Sequence, residues 1–205
     1  MRRVVSFERA HVVREYKGLA KRLQGSGPVL DLGCGSGTLL ESLHKLGVPA
    51  QGVDASPTAV RHCLSRGLDV VHADILQYLA SAEPNSRGAV FAGHVVEHLS
   101  PGQARSLFAG VWSVLRPGGR FLLLTPDPRN LYVIGEGFWV DPTHVRPYPA
   151  PLLKTLAMDA GFSRCDIQHW WRDLTLKQVI VGLLRWGITA GLHSPTSTLL
   201  AEAIK

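Results

Sequence analysis

Apolar residues recur along this chain in two alternating rhythms. Between Phe7 and Leu23, the residues Val12, Tyr16, Leu19, Ala20 and Leu23 fall on one helical face and predict an amphipathic helix within residues 1–24. The short apolar run Val29–Leu32 has the length of a strand. Beyond a glycine turn, Leu39, Leu40, Leu43 and Leu46 return to the helical period, and AQGVD predicts a second strand ending at Asp54. The next helix is marked at both ends, by Ser56 as N-cap, Pro57 in the first turn and Gly67 as the stop. LDVVHAD is a third strand ending near Asp74, and GAVFAG is a fourth. Ser100 and Pro101 repeat the start signal for a helix to Leu115, which RPGG stops before the strand RFLLL.

The second half is less regular. A proline-rich stretch runs from Thr125 to Pro149, and a loop of that length in a compact domain points to function. A helix from Pro151 to Ala160, a strand SRCDIQHWW, an apolar helix over Leu174–Leu192 and a last strand near TSTLLAEAI follow. Strands alternating with helices predict a doubly wound α/β sheet in a single domain of 205 residues. Lys177 and Arg185 interrupt the apolar segment 174–192, which argues against a membrane span. A partly buried helix is the reading preferred there over membrane-surface association.

Composition narrows the class. The apolar fraction of 45% and charged fraction of 19% suit a globular chain, and a net charge of +6 without basic runs reads as a solubilising surface more than as a nucleic-acid footprint. Cys34, Cys63 and Cys165 are scattered and odd in number, so a reducing cytoplasm is expected rather than a disulfide framework. The first residues hold two arginines but no apolar signal core.

The turn in VLDLGCGSG carries the first chemistry. Gly33, Gly35 and Gly37 let a ligand approach the backbone, but a dinucleotide fingerprint needs its third glycine where Thr38 stands. Asp31 would repel a pyrophosphate and attract a cation. Asp31, Asp54 and Asp74 fall at the ligand-binding edge of three successive strands. Asp54 can accept from ribose hydroxyls, Asp74 from an adenine amine, and Asp31 can face an amino group. S-Adenosylmethionine satisfies all three, whereas NAD leaves Asp31 wrong in sign.

Here the chain resembles the class I S-adenosylmethionine-dependent methyltransferases. VLDLGCGSG is similar to their first motif, GVDASPTAV to the second, HADI to the adenine-side acid, and GHVVEHLSPGQARSLFAGVWSVLRPGGRFLLLTPDP to their fourth and fifth strands. The resemblance implies a Rossmann-like seven-stranded sheet of order 3-2-1-4-5-7-6, with strand 7 antiparallel and formed by TLLAEAIK. It places Ala55, Ile75 and His94 beside the acids and glycines in the cofactor pocket. Gly88 departs from the family, where an acid often opens strand four.

The loop TPDPRNLYVIGEGFWVDPTHVRPYP, within residues 125–150, resembles one in bacterial methyltransferases linked to glycans, with a recurring FWxDPTHxRPxP pattern. His144 is the candidate base, oriented by Asp141. His98, Arg129, Trp139, Arg146 and Tyr148 are candidates for the substrate side, the arginines for an anionic group. HVVEH matches a zinc-peptidase pattern, but His94 follows a strand directly and no third ligand stands at a convincing spacing, so no metal is expected. The expected activity is in-line methyl transfer to an oxygen of a glycan or other small hydroxylated or acidic molecule. An N- or C-methyltransferase of secondary metabolism and a non-catalytic cofactor-binding module remain the alternatives.

Overall fold

The structure, a computed structural model, describes residues 13, 15–170 and 198–205. The predicted helix 174–192 and the start of the predicted first helix lie outside that range. Helix α1 is described over residues 15–23. The elements that follow are β1 (Val29–Leu32), α2 (Thr38–Lys45), β2 (Ala50–Asp54), α3 (Pro57–Leu64), β3 (Val70–His72), α4 (Ile75–Ser81), β4 (Arg87–Gly93), α5 (Pro101–Val114), β5 (Leu115–Pro126), α6 (Leu131–Gly135), α7 (Ala150–Asp159), β6 (Arg164–Trp170) and β7 (Thr198–Ile204). The sheet has seven strands in the order β3-β2-β1-β4-β5-β7-β6. Neighbours from β3 through to β5 pair parallel, and β7 pairs antiparallel with both β5 and β6. The predicted order and the reversed strand are both present.

Alternation along the strands supplies two cores. Leu30, Leu32, Val90, Ala92, Phe121 and Leu123 face one side, against Leu107, Phe108 and Val111 of α5 and Leu153 of α7. Val29, Ala89, Phe91, Leu122 and Leu124 face the other, against Leu19 and Leu23 of α1 and Leu39 and Leu43 of α2. This two-residue period is what a sheet covered by helices on both faces requires. Among the described residues no helix is long and apolar enough to cross a membrane.

The structure corrects or refines the sequence reading at four places. The third strand ends at His72, because Asp74 leaves it to cap α4, a helix the apolar pattern did not announce; its Oδ1 accepts from Leu76 N and Gln77 N at 2.9 and 3.0 Å. Helix α5 ends at Val114, with Leu115 as its C-cap, and RPGG already belongs to β5, forming its irregular start, with Leu115 paired to Arg87 before the register shifts. The long loop is partly helical, containing α6 and a 3-10 turn over Gly137–Val140. Gly88 is required by packing, since a β-carbon there would run into the Ser26 carbonyl.

Candidate active site

The sheet reverses its winding between β1 and β4, and ligands of such sheets bind at the carboxyl ends of the strands there. The glycine turn lies at that edge. Gly33, Gly35 and Gly37 all have left-handed backbones, with φ of 73°, 53° and 76°. A β-carbon on Gly33 would press on Val95, and one on Gly37 on Leu68 and Cys63. A β-carbon on Gly35 would meet nothing within 4 Å, so this glycine opens the backbone to a ligand. Cys34 is buried against Gly52 and fills the turn from below.

Asp54 holds the turn in shape. Its Oδ2 accepts Gly35 N–H and its Oδ1 accepts Ser56 N–H, each at 2.8 Å. Ser56, not Asp54, caps α3, so Asp54 is a turn acid whose carboxylate keeps further lone pairs at this edge of the sheet. Ala55 follows it on the exposed rim, its carbonyl accepting from His72 Nε2 at 3.0 Å. Asp74 is exposed with Oδ1 spent on its cap, and Ile75 packs beside it on the core.

Asp31 behaves differently. It is 2% exposed, and its carboxylate accepts no hydrogen bond from any described residue. Burial first, then the charge of Asp54, push its carboxyl up to about 8. A buried carboxylate beside an open glycine turn and without a protein donor is matched to a cationic group from outside. Tyr16, on α1, completes this wall. Its ring meets Phe91 edge-on at 5.8 Å, and its hydroxyl lies 3.0 Å from where a Gly93 β-carbon would stand. Burial, then Asp31, raise its phenol well above the usual range. The sequence reading took Tyr16 only as a core residue. The signal available was its polar tip on an otherwise apolar face.

His94 follows β4 with a left-handed φ of 56°, outside any helix, so the peptidase geometry of HVVEH is absent. Its Nδ1 donates to Glu97 Oε1 at 3.1 Å, and Thr125 Oγ1 donates to Glu97 Oε2 at 3.1 Å. The Glu97 side chain is fully buried, and its carbonyl accepts Val145 N–H at 2.8 Å and Arg146 N–H at 3.3 Å. Glu97 thus clamps the long loop onto the turn after β4, a role the sequence reading missed.

This clamp brings His98 and His144 together, with ring centroids 4.7 Å apart. His144 Nδ1 lies 2.5 Å from the Phe138 carbonyl, which only accepts, so Nδ1 carries the proton. Thr143 Oγ1 donates to Asp141 Oδ1 at 2.6 Å and so must accept from His98 Nδ1 at 2.8 Å. In their neutral forms both imidazoles then present Nε2 as a lone pair. Asp141 corrects an expectation here. It does not orient His144, whose Nδ1 is taken by Phe138. It acts on His98 through Thr143, and its hydrogen bonds from Thr143 hold its carboxyl below the usual range.

Metal-ligating atoms of Glu97, His98 and His144 lie within 4.8 Å of one another. His94, one of the two histidines of the HVVEH pattern, is not part of this group, and His144 joins it from the distant loop.

The remaining candidates separate. Arg146 lies against the Tyr148 ring at 5.4 Å, and its guanidinium has no acidic partner among the described residues. Trp139 is 57% exposed, with its indole N–H donated to the Ile134 carbonyl at 2.8 Å. Arg129 belongs to another cluster, in contact with His169 and 3.6 Å from buried Asp127. Tyr148 is a correction: it is 1% exposed and its hydroxyl donates to Leu99 O at 2.8 Å, so it bolts the loop to the core and cannot touch substrate.

Comparison with known proteins agrees with this architecture. Residues 29–119 match the model of a methyltransferase domain. A ubiquinone biosynthesis O-methyltransferase from Cupriavidus pinatubonensis is 35% identical over 108 residues, which are 50% of this chain and 42% of that protein. One from Xanthomonas euvesicatoria is 33% identical over 133 residues, 60% of this chain and 54% of that protein. The chain spans about half the length of these curated relatives. The crystal structure of an S-adenosylmethionine-dependent methyltransferase from Archaeoglobus fulgidus shares the fold, with a TM-score of 0.77 and 24% identity over 93% of this chain and 94% of that one. Residues 29–119 are thus similar to a methyltransferase domain, and the fold is that of a solved S-adenosylmethionine-dependent enzyme, which makes S-adenosylmethionine the cofactor to test against this edge. Its residues fit that cofactor: Asp31 lacks a cation, Gly35 opens the backbone, and Asp54 holds lone pairs at the rim.

Proposed function

We propose that this protein methylates a hydroxyl oxygen of a small molecule, with His98 and His144 as the proton-accepting pair. The carrying observation is that Phe138 and the Thr143–Asp141 relay hold both Nδ1 atoms as donors, which leaves both Nε2 atoms free to accept a proton. A hydroxyl is a poor nucleophile until its proton is taken, so a base is worth roughly 10²–10⁴ in rate. Bound S-adenosylmethionine supplies an electrophilic methyl group whose sulfonium is its own leaving group. Asp31 would pair with the cofactor's amino group, and Asp54 with Gly35 would seat its ribose. Ile75 and Ala55 would flank the adenine, with Asp74 at its amine. His94, braced by Glu97, would close the methyl side of the pocket.

Alignment of the acceptor falls to the long loop, and positioning alone can supply about 7–11 kcal/mol. The exposed Trp139 ring suits stacking on a flat or sugar ring, and Arg146 suits an anionic substituent. The relatives named for O-methyl transfer support oxygen as the acceptor atom. The glycan reading rests on the loop sequence FWVDPTHVRPYP. The buried free thiols of Cys34, Cys63 and Cys165 suit a reducing compartment such as the cytoplasm.

The test is to replace each histidine by alanine. His98→Ala or His144→Ala should lower kcat by roughly 10²–10⁴ while S-adenosylhomocysteine affinity stays within about twofold. If both variants keep wild-type kcat, no base is used, and the acceptor is an already ionised oxygen or an amine.

A further inference from the structure

The amino edge of the sheet, opposite the glycine turn, carries a cavity. Its volume is about 430 Å³, and its lining includes Gln24, Ser26, Gly88, Arg116, Gly119 and Arg120. The lining holds two cations and no carboxylate. Arg120 is already satisfied, with Nε donating to Glu202 Oε1 and Nη1 to Arg22 O, each at 2.8 Å. Arg116 is not. Its guanidinium makes no hydrogen bond or ion pair with any described residue, and its Nε is buried without a partner. A buried charged donor left unpaired is destabilising, so its retention calls for an acceptor from outside.

The backbone makes room for this side chain. Gly27 is left-handed at φ 87°, and a β-carbon there would run into Arg116 Nη2. A β-carbon on Gly88 would stand 3.0 Å from the same nitrogen. The Ser26 hydroxyl lines the same space and has no partner among the described residues. Gly118 N–H does not contribute, because it donates to Lys205 O at 3.0 Å.

We propose that this cavity binds the oxyanion of a small metabolite, a phosphate group above all, on the Arg116 guanidinium with the Ser26 hydroxyl as second donor. A planar guanidinium fork matches two oxygens of a phosphate, and a cavity without acidic groups does not repel one. The proposal is independent of methyl transfer, since the site lies at the edge of the sheet away from Asp31 and Gly35.

The test uses the whole chain and inorganic phosphate, followed by amide NMR. Phosphate should bind saturably and shift the amides of Ser26, Gly88 and Gly119 while leaving Gly35 in place. Arg116→Gln should weaken binding about tenfold or more, and Arg116→Lys, which keeps charge without the fork, by less. Unchanged S-adenosylhomocysteine affinity in both variants establishes that they fold. Lack of saturable binding to the wild type, equal binding to Arg116→Gln, or shifts centred on Gly35 would overturn the proposal. Vesicles of phosphatidylglycerol separate a lipid headgroup from a free ligand. They should not retain the protein, and Arg116-dependent retention without binding of inorganic phosphate would also overturn it.

Discussion

Thr143 joins His98 to Asp141: its hydroxyl accepts from His98 Nδ1 at 2.8 Å only because its own proton is given to Asp141 Oδ1 at 2.6 Å. The relay orients one ring and fixes Nδ1 as the nitrogen that carries its proton. Thr143→Val keeps the shape and removes the relay, so kcat should fall about tenfold, within the range of a partly lost base. Unchanged kcat would make the relay purely structural.

Asp31 gives a pH dependence with a definite sign. Its carboxyl titrates near 8 in the folded protein and near ~3.9 when unfolded. Folding therefore binds a proton in that window, and the stability it contributes is lost as pH rises through about 8. Thermal melts of the cofactor-free protein should fall over this interval, and Asp31→Asn should flatten the trend. Cofactor affinity should run the other way, rising with pH, because an amino group pairs with the carboxylate and not with the acid. Affinity independent of pH would refute that pairing.

Asp54 serves the turn as well as the ligand. Asp54→Ala frees Gly35 N–H and Ser56 N–H and removes the ribose acceptor. Calorimetry should show cofactor affinity reduced by about 1–3 kcal/mol, and melting a further loss near 1 kcal/mol of stability. A variant that loses stability but binds S-adenosylhomocysteine normally would confine Asp54 to its turn.

Both Glu97 oxygens are engaged, by His94 and Thr125, and a sulfonium needs no Lewis acid. Activity should therefore survive exhaustive chelation within about twofold, the rate following base and positioning alone. Activity lost with a stoichiometric metal and restored by it would turn Glu97, His98 and His144 into a metal centre.

Much of the fold follows from local chemistry. The alternation of Leu30, Leu32, Val90 and Ala92 with Val29, Ala89 and Phe91 writes the two faces of the sheet into the sequence. Ser56, Pro57, Ser100 and Pro101 write the helix starts, with the Ser100–Gln103 capping box confirming one of them. Such signals act within a few residues, so one sequence displays them. The three acids and three glycines were legible for the same reason, each standing at the end of a short motif.

What only the tertiary structure decided spans longer separations. His98 and His144 stand 46 positions apart in the sequence, and no local spacing brings their rings to 4.7 Å. Asp141 lies three residues from His144, yet serves His98, because hydrogen-bond direction and not proximity along the chain selects the partner. Tyr148 reads as a loop aromatic and is buried, since the Leu99 carbonyl receives its hydroxyl in the core. Tyr16 read only as part of an apolar helix face, and Glu97 had no role assigned; folding buries Glu97 between His94 and Thr125 and sets Tyr16 beside Asp31. Propensity and patterning set where elements begin and which face is apolar; the partners of each polar group are settled only when distant segments are desolvated together.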